Sequence, residues 1–135
     1  MCIFCKIING DIPSKKVYED EDILAILDIS QATKGHTLVL PKKHFDNLLT
    51  ISDAEYLKVM KKVKDLAKVI VDAFDADGVN ILNNCNEVAG QSVMHFHVHI
   101  LPRYNKEELK IEFTDHSKEC DLDSILATIK EKMAK

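Results

Sequence analysis

The chain has 135 residues, of which 46% are hydrophobic and 30% charged, and a formal net charge of −4. This length is typical of one domain, residues 1–135, that buries roughly two-thirds of its unfolded surface around one core. The acidic balance provides no sequence-independent attraction to nucleic acid or to an anionic membrane, so neither is expected as a partner. A small phosphorylated ligand is still compatible with it, because such a ligand needs only a local set of hydrogen-bond donors.

The N-terminal residues Met1-Cys2-Ile3-Phe4-Cys5 include no basic segment followed by a long apolar run. We therefore expect no signal peptide and no membrane span, and a cytoplasmic location. Four cysteines in that compartment are expected to be thiols or metal ligands rather than disulfides. Cys85 and Cys120 have no motif around them, and we interpret them as plain thiols.

The first elements along the chain are strands. Two apolar-rich runs, residues 16–19 and 23–29, flank an acidic stretch and predict a hairpin. Residues 36–40, between Gly35 and Pro41, predict a third strand. Ser52 followed by Glu55 is a capping box, and it opens an amphipathic helix over about residues 53–75. Its apolar stripe, which suits a core or a subunit interface, consists of Tyr56, Met60, Val63, Ala67, Ile70 and Phe74.

The second half of the chain predicts a fourth strand over residues 79–83, a polar loop over 84–92, a strand over 95–101 and a short amphipathic C-terminal helix. Leu122, Ile125, Leu126, Ile129 and Met133 mark that helix. Two helices and five strands, mostly adjacent in sequence, predict an α+β fold with an antiparallel five-stranded sheet. The strand order is not derivable from the pattern.

Residues 95–101 carry the strongest chemical signal in the chain, His-Phe-His-Val-His-Ile-Leu. In a strand this alternation places His95, His97 and His99 on one face, and Pro102 is expected to end the strand. Three such imidazoles could bind a metal, act as nucleophile and acid/base near neutral pH, or be satisfied partners on a polar face. Their density favours a functional site.

The polar loop before this strand has groups that can hold phosphate oxygens. Gly90 permits close backbone approach, and Asn84, Gln91 and Ser92 supply side-chain donors. A neutral histidine can attack phosphorus if its far nitrogen donates to a carbonyl, and water would then release the phosphoryl group.

The His-φ-His-φ-His-φ-φ motif, together with the lead-in at residues 90–93, resembles the histidine-triad (HIT) superfamily and its Hint-like branch. The segments 4–8, 27–30 and 35–44 are similar in order and spacing, so the resemblance covers about residues 2–104. It implies a HIT fold and a homodimer that hydrolyses or transfers purine nucleotides at the α-phosphate. His97 would be the nucleophile that becomes nucleotidylated, with His99 and His36 completing the polar wall.

The same resemblance implies the remaining binding residues. Asn84, Gly90 and Ser92 would contact the phosphate, with Ser92 towards the leaving group and in the catalytic set. Gln91 is included among the nucleotide-binding residues as a donor of the same loop. Asp28 would accept the ribose hydroxyls. The apolar walls around the base would be Ile3, Phe4, Ile7, Ile26, Leu27 and Ile29.

Cys2 and Cys5 form a C-x-x-C pair, whose spacing lets two thiolates share a tetrahedral zinc, and His44 and His95 are candidates to complete the site. Some bacterial-type HIT proteins are similar at all four positions and hold a structural zinc there. The alternative is a pair of buried thiols near a frayed N-terminus.

The preferred function is that of a nucleoside phosphoramidase, since Ser92 stands where the dinucleoside polyphosphate hydrolases of the family usually have threonine. Hydrolysis of dinucleoside polyphosphates is the alternative among enzymes. A zinc-stabilised nucleotide-binding or interaction module with incidental turnover is the alternative outside enzymes. A catalytic metal held by His95, His97 and His99 together ranks last. Same-face positions on a strand lie roughly 6.5–7 Å apart, so three nitrogens at about 2 Å from one ion would be strained.

Overall fold

The computed structural model describes all residues, 1–135. Its centre is an antiparallel five-stranded sheet with the order β1-β2-β3-β5-β4, which confirms the predicted α+β fold and the predicted hairpin. The strands are β1 Lys16–Glu19, β2 Ile23–Leu27, β3 Thr37–Pro41, β4 Gly78–Leu82 and β5 Val98–Arg103.

Three α-helices accompany the sheet: α1 Ile3–Ile8, α2 Asp53–Ala73 and α3 Leu122–Met133. The capping prediction is confirmed, because the Ser52 hydroxyl accepts a hydrogen bond from the Glu55 backbone N–H at 3.3 Å. The long helix ends two residues earlier than predicted. Helix α1 was not predicted, since six residues are too few to show an apolar period.

The core consists of two apolar clusters, one on each face of the sheet. Phe96, Val98 and Ile100 are almost fully buried in the cluster beneath α2. The second cluster lies under α1 and consists of Phe4, Ile7, Leu24, Ile26, Leu38 and Leu40. The histidines that alternate with Phe96 and Val98 therefore face the α1 side, as the sequence pattern predicts.

Residues 95–101, which we refer to as the histidine segment, depart from the predicted strand bounds at both ends. Regular pairing begins at Val98 rather than at residue 95, because the Phe96 N–H donates to the Phe45 carbonyl of a loop at 2.7 Å. Pro102 lies inside β5 instead of ending it. Strand β4 still runs beside β5 at Pro102, but β3 pairs with β5 only as far as Ile100, so no β3 carbonyl requires an N–H from the proline.

The last 26 residues, 110–135, are exposed throughout, and we refer to them as the C-terminal arm. The predicted C-terminal helix forms within this arm, but its apolar stripe is not buried against the rest of the chain.

None of the helices is long and apolar enough to cross a membrane.

Candidate active site and metal centre

Three imidazoles meet on the α1 face of the sheet, and we refer to His36, His97 and His99 as the imidazole cluster. The rings of His97 and His99 lie 5.2 Å apart between centroids, and those of His36 and His99 lie 5.1 Å apart. His36 comes from the start of β3, which is paired with β5, and this pairing brings the two segments together. Asp28 lies beside them, with its carboxylate 3.5 Å from His36 Nε2.

The hydrogen bonds around His97 determine which of its nitrogens is free. Its Nδ1–H donates to the backbone carbonyl of His95 at 2.7 Å. A carbonyl can only accept, so Nδ1 carries the proton and Nε2 keeps its lone pair. His97 therefore presents an unprotonated nitrogen on the face where the other two imidazoles lie.

A chain of hydrogen bonds fixes His36 and His99 in the same way. The Ala32 backbone N–H donates to His36 Nδ1 at 3.2 Å, so the His36 proton is on Nε2. That Nε2–H donates to His99 Nδ1 at 2.9 Å. His99 consequently carries its own proton on Nε2, where it is free to donate to a phosphate oxygen.

Burial keeps the imidazole cluster neutral. Desolvation lowers the pKa of His97 and of His36 below the usual histidine range. Desolvation, together with the neighbouring His97 and His36, lowers the pKa of His99 to about 4. At neutral pH the cluster therefore combines one nucleophilic lone pair with one neutral hydrogen-bond donor.

Residues 84–92, the loop that the sequence predicts to hold phosphate oxygens, lead into the histidine segment, and we refer to them as the phosphate loop. Gly90 has a φ of +100°, and a Cβ on it would lie 3.3 Å from the Asn84 amide nitrogen, so both conformation and space favour glycine there. The exposed Ser92 lines an open hollow of about 510 Å³ together with Gly90 and Glu87. Ser92 makes no hydrogen bond to the imidazole cluster.

Gln91 differs from the rest of the phosphate loop because its side chain is only 2% exposed. Its amide nitrogen donates to the carbonyls of Asp46 at 2.6 Å and of Val93 at 2.9 Å. Its amide oxygen accepts the Asn86 N–H at 2.8 Å. Both amide hydrogens are thus committed to backbone carbonyls.

The apolar residues expected around a base fall into two groups. Phe4, Ile7 and Ile26 are buried in the core cluster, and the Phe4 ring stands edge-on to the His97 ring with 5.0 Å between centroids. Ile3 is 49%, Leu27 39% and Ile29 99% exposed. The second group is therefore accessible to a ligand, whereas the first group belongs to the core, and its Phe4 packs against His97.

A second cluster of donors, the thiol–imidazole cluster, comprises Cys2, Cys5, His44 and His95. The Sγ atoms of the two cysteines lie 3.4–3.6 Å from the Nδ1 atoms of the two histidines. The two Nδ1 atoms lie 3.1 Å apart. Helix α1 produces this arrangement, since one turn brings Cys5 next to Cys2, the N-cap residue.

The protonation pattern of this cluster is suited to binding a cation. His95 Nε2–H donates to the Pro41 carbonyl at 2.8 Å, and His44 Nε2–H donates to the Asp46 carboxylate at 2.9 Å. Both Nδ1 lone pairs therefore point into the space shared with the two thiol sulfurs, where a single cation could be bound by all four atoms. Around one Zn²⁺, tetrahedral angles place sulfur and nitrogen about 3.5 Å apart and two nitrogens about 3.3 Å apart, so the residues fit a zinc ion.

The two thiols show the same need for a cation. Burial opposes ionisation of Cys2, but hydrogen bonds centred on Cys5 outweigh it and lower the Cys2 pKa. Burial and the adjacent Cys2 raise the Cys5 pKa. The pair thus accommodates one negative charge more easily than two, and a bound divalent metal would allow both thiolates to form.

The structure separates His95 from the other two histidines of the motif. Its ring points into the thiol–imidazole cluster, while its backbone carbonyl holds His97. A metal site made of His95, His97 and His99 is therefore not assembled. Sequence reasoning missed Asp46, the carboxylate that orients His44, although the spacing His44-x-Asp46 was a readable signal.

Comparison with known proteins gives one consistent result. A family model described as HIT domain matches residues 9–106. Protein hit of Bacillus subtilis is 50% identical over 98% of this chain and 94% of its own length. An uncharacterized HIT-like protein of Methanocaldococcus jannaschii is 50% identical over 96% of this chain and 99% of its own. A crystal structure of a B. subtilis HIT family protein superposes with a TM-score of 0.89, at 48% identity, over 96% of this chain and 95% of that one.

More distant relatives have more specific names. An adenosine 5′-monophosphoramidase of Schizosaccharomyces pombe is 42% identical over 78% of this chain and 77% of its own length. An adenylylsulfatase of Arabidopsis thaliana is 39% identical over 78% of this chain and 54% of its own. A zinc-bound histidine triad protein of Mycobacterium smegmatis superposes with a TM-score of 0.77, at 37% identity, over 87% of this chain and 86% of that one.

Proposed function

Since the chain belongs to the HIT family of nucleotide hydrolases, we propose that it hydrolyses a purine nucleotide at the α-phosphate, with the P–N bond of an adenosine 5′-phosphoramidate as its preferred target. The observation that carries the proposal is the His97 tautomer, which leaves Nε2 unprotonated at a buried site. The S. pombe relative named as a phosphoramidase supports the choice of leaving group.

In the first step His97 Nε2 attacks the α-phosphorus. The P–Nε2 bond forms, the P–N bond to the leaving group breaks, and the departing amine takes up a proton from solvent water. His97 becomes cationic, and its Nδ1–H bond to the His95 carbonyl grows stronger as that charge develops. The His99 Nε2–H donates to a non-bridging phosphate oxygen, and Ser92 lies towards the leaving group.

In the second step water attacks the phosphorus of the adenylylated enzyme. The P–O bond forms and the P–Nε2 bond breaks, which releases AMP and restores neutral His97. The water loses one proton, so the step balances as hydrolysis. Because the low pKa of His97 favours the neutral imidazole, this residue is a good leaving group as well as a nucleophile.

We also propose that Cys2, Cys5, His44 and His95 hold a structural zinc ion. The donor geometry, the two facing lone pairs and the zinc-bound mycobacterial neighbour support this assignment. When bound, zinc supplies charge neutralisation and a cross-link between α1, the segment after β3 and the histidine segment. None of these four side chains takes part in the catalytic steps described above, and His95 contributes to them only through its backbone carbonyl.

We further propose that the enzyme works as a cytoplasmic homodimer. An apolar hollow of about 390 Å³ between α2 and the edge strand β4 supports this, because a second copy could cover it. Met60, Ala67, Val71, Val79 and Ile81 line the hollow.

The decisive experiment is a rapid acid quench of the zinc-loaded enzyme mixed with adenosine 5′-phosphoramidate, followed by intact-protein mass measurement. Wild type should gain the mass of one adenylyl group transiently and release AMP. His97→Ala should show neither. Adenosine 5′-phosphosulfate serves as the comparison substrate, because the A. thaliana relative is named for that chemistry. Failure of wild type to form an adduct or release AMP from either substrate would contradict the proposal.

A further inference from the structure

The phosphate loop and the thiol–imidazole cluster are joined by a side chain that neither site uses as a ligand. Gln91 lies in the phosphate loop and donates to the Asp46 carbonyl at 2.6 Å. The same Asp46 orients the His44 imidazole through its carboxylate at 2.9 Å. One buried amide therefore spans the distance from the loop to the residue that positions a metal ligand.

A second contact runs in parallel with the first. The Asn47 amide nitrogen donates to the Asn86 side-chain oxygen at 3.2 Å. Asn47 follows Asp46 directly, and it is itself 8% exposed. The segment that carries His44 is thus tied to the phosphate loop through two neighbouring residues.

The phosphate loop needs such restraints, because its backbone is strained. Asn86 has a φ of +74°, an unfavourable conformation for a residue with a Cβ. Such a conformation persists only where the surroundings hold it. The restraints on Asn86 are the Gln91 oxygen, which accepts its N–H, and the Asn47 amide.

His95 provides an independent link between the same two sites. Its ring nitrogen belongs to the thiol–imidazole cluster, and its backbone carbonyl accepts the His97 Nδ1–H. Fixing the His95 ring on a metal therefore also fixes the carbonyl that sets the tautomer of the nucleophile. Both links lead from the metal centre to groups that would contact the nucleotide phosphate.

We propose that Gln91 is a positioning residue that couples the two sites, so that bound zinc raises the affinity for AMP and bound AMP raises the affinity for zinc. This inference rests on the proposed nucleotide and zinc sites. Zinc immobilises the His44–Asn47 segment, Gln91 transmits that order to the phosphate loop, and the nucleotide then binds a loop already held in place. Linkage requires the two effects to be equal in magnitude.

The test measures zinc affinity by competition with a chelating dye, with and without saturating AMP. In wild type we expect AMP to tighten zinc binding at least about five-fold, the lower range of coupling between two sites. AMP affinity measured on zinc-loaded and zinc-free protein should change by the same factor. In Gln91→Met, which keeps the volume and removes all three hydrogen bonds, the factor should fall to about one.

Val59→Ala is the control for a general loss of stability, because Val59 belongs to the core cluster beneath α2, which includes no residue of the phosphate loop. In this variant saturating AMP should tighten zinc binding by the same factor as in wild type. A factor of one in wild type would overturn the coupling, and an unchanged factor in Gln91→Met would overturn the role of Gln91. Failure of the zinc-loaded protein to bind AMP at all would instead contradict the proposed function.

Discussion

The imidazole cluster and the thiol–imidazole cluster use the same side chain for different chemistry. In the imidazole cluster the buried His97 and the half-buried His99 leave their Nε2 atoms available, one as an acceptor and one as a donor. In the thiol–imidazole cluster His44 and His95 commit Nε2 to an oxygen and leave two Nδ1 lone pairs converging. The remote nitrogen, and not the reactive one, decides which role each ring can take.

The comparison also concerns burial and charge. Burial lowers the pKa of His97 and His99, so these rings react as neutral bases. His44 has the opposite shift, because the hydrogen bond from its ring to the Asp46 carboxylate raises its pKa. A hydrogen-bonded carboxylate thus makes one imidazole more basic for a metal. In the imidazole cluster desolvation outweighs the nearby Asp28 carboxylate and keeps the rings neutral for phosphorus chemistry.

The largest expected effect comes from removing the nucleophile. His97→Ala should lower the rate of AMP release from adenosine 5′-phosphoramidate by about 10⁴-fold or more, since no other lone pair is placed to attack. Zinc content, measured by elemental analysis, should stay unchanged. His116→Ala removes an exposed histidine of the C-terminal arm and should retain wild-type turnover. Substantial turnover in His97→Ala would disprove covalent catalysis by this residue.

The next effect tests the metal centre through stability. Zinc present at a thousand times its Kd stabilises a folded protein by about 4 kcal/mol. Cys5→Ser should forfeit that contribution and lower the Tm by more than about 10 °C in a thermal melt. Cys120→Ser makes the same chemical change at an exposed site and should leave the Tm unchanged. One tightly held zinc per Cys5→Ser chain, with an unaltered Tm, would contradict the site.

The pH dependence separates the two clusters further. The neutral form of His97 is the reactive one, and its pKa lies below the usual 6.5. We therefore expect kcat/KM for the phosphoramidate to stay level from pH 8 down through 6.5, and to fall about ten-fold per unit only below the lowered pKa of His97. Zinc content is followed at each pH, so that loss of the metal is not mistaken for titration. A midpoint above about 7 would contradict a buried neutral nucleophile.

The smallest effect refines the role of the carboxylate. Asp46→Asn keeps an oxygen that can accept the His44 Nε2–H but removes its charge, so we expect zinc affinity to fall about ten-fold. Competition with a chelating dye measures the change. Asp65→Asn, on the exposed side of α2 beside Lys61, is the matched substitution and should have no effect on zinc. Equal zinc affinity in Asp46→Asn and wild type would show that charge is unimportant there.

Local patterns predicted a large part of this molecule. The alternation around Phe96 and Val98 specified the two faces of the histidine segment, and Ser52 with Glu55 specified where α2 begins. Both features depend on neighbours within a few residues, so the sequence contains them directly. The same holds for the C-x-x-C spacing of Cys2 and Cys5, although the helical turn that brings their thiols together was not predicted.

Features that depend on distant partners were not predictable in this way. The tautomers follow from bonds to Pro41, Ala32 and the His95 backbone, and only the folded chain brings these groups together. Pro102 is tolerated inside β5 because β3 pairs no further than Ile100, which is a property of the sheet rather than of the proline. The buried role of Gln91 likewise depends on Asp46, 45 residues away in the chain.

The C-terminal arm has a consequence for how this protein behaves in dilute solution. Its helix is 12 residues long and has no buried residue, and isolated helices of about that length are marginal in water. Another protein surface must pack against this helix before its apolar residues Leu122, Ile125 and Met133 are buried. Self-association would therefore stabilise the helix by mass action. Helix content should therefore rise with protein concentration, and far-UV ellipticity followed through a dilution series would report assembly of the chain.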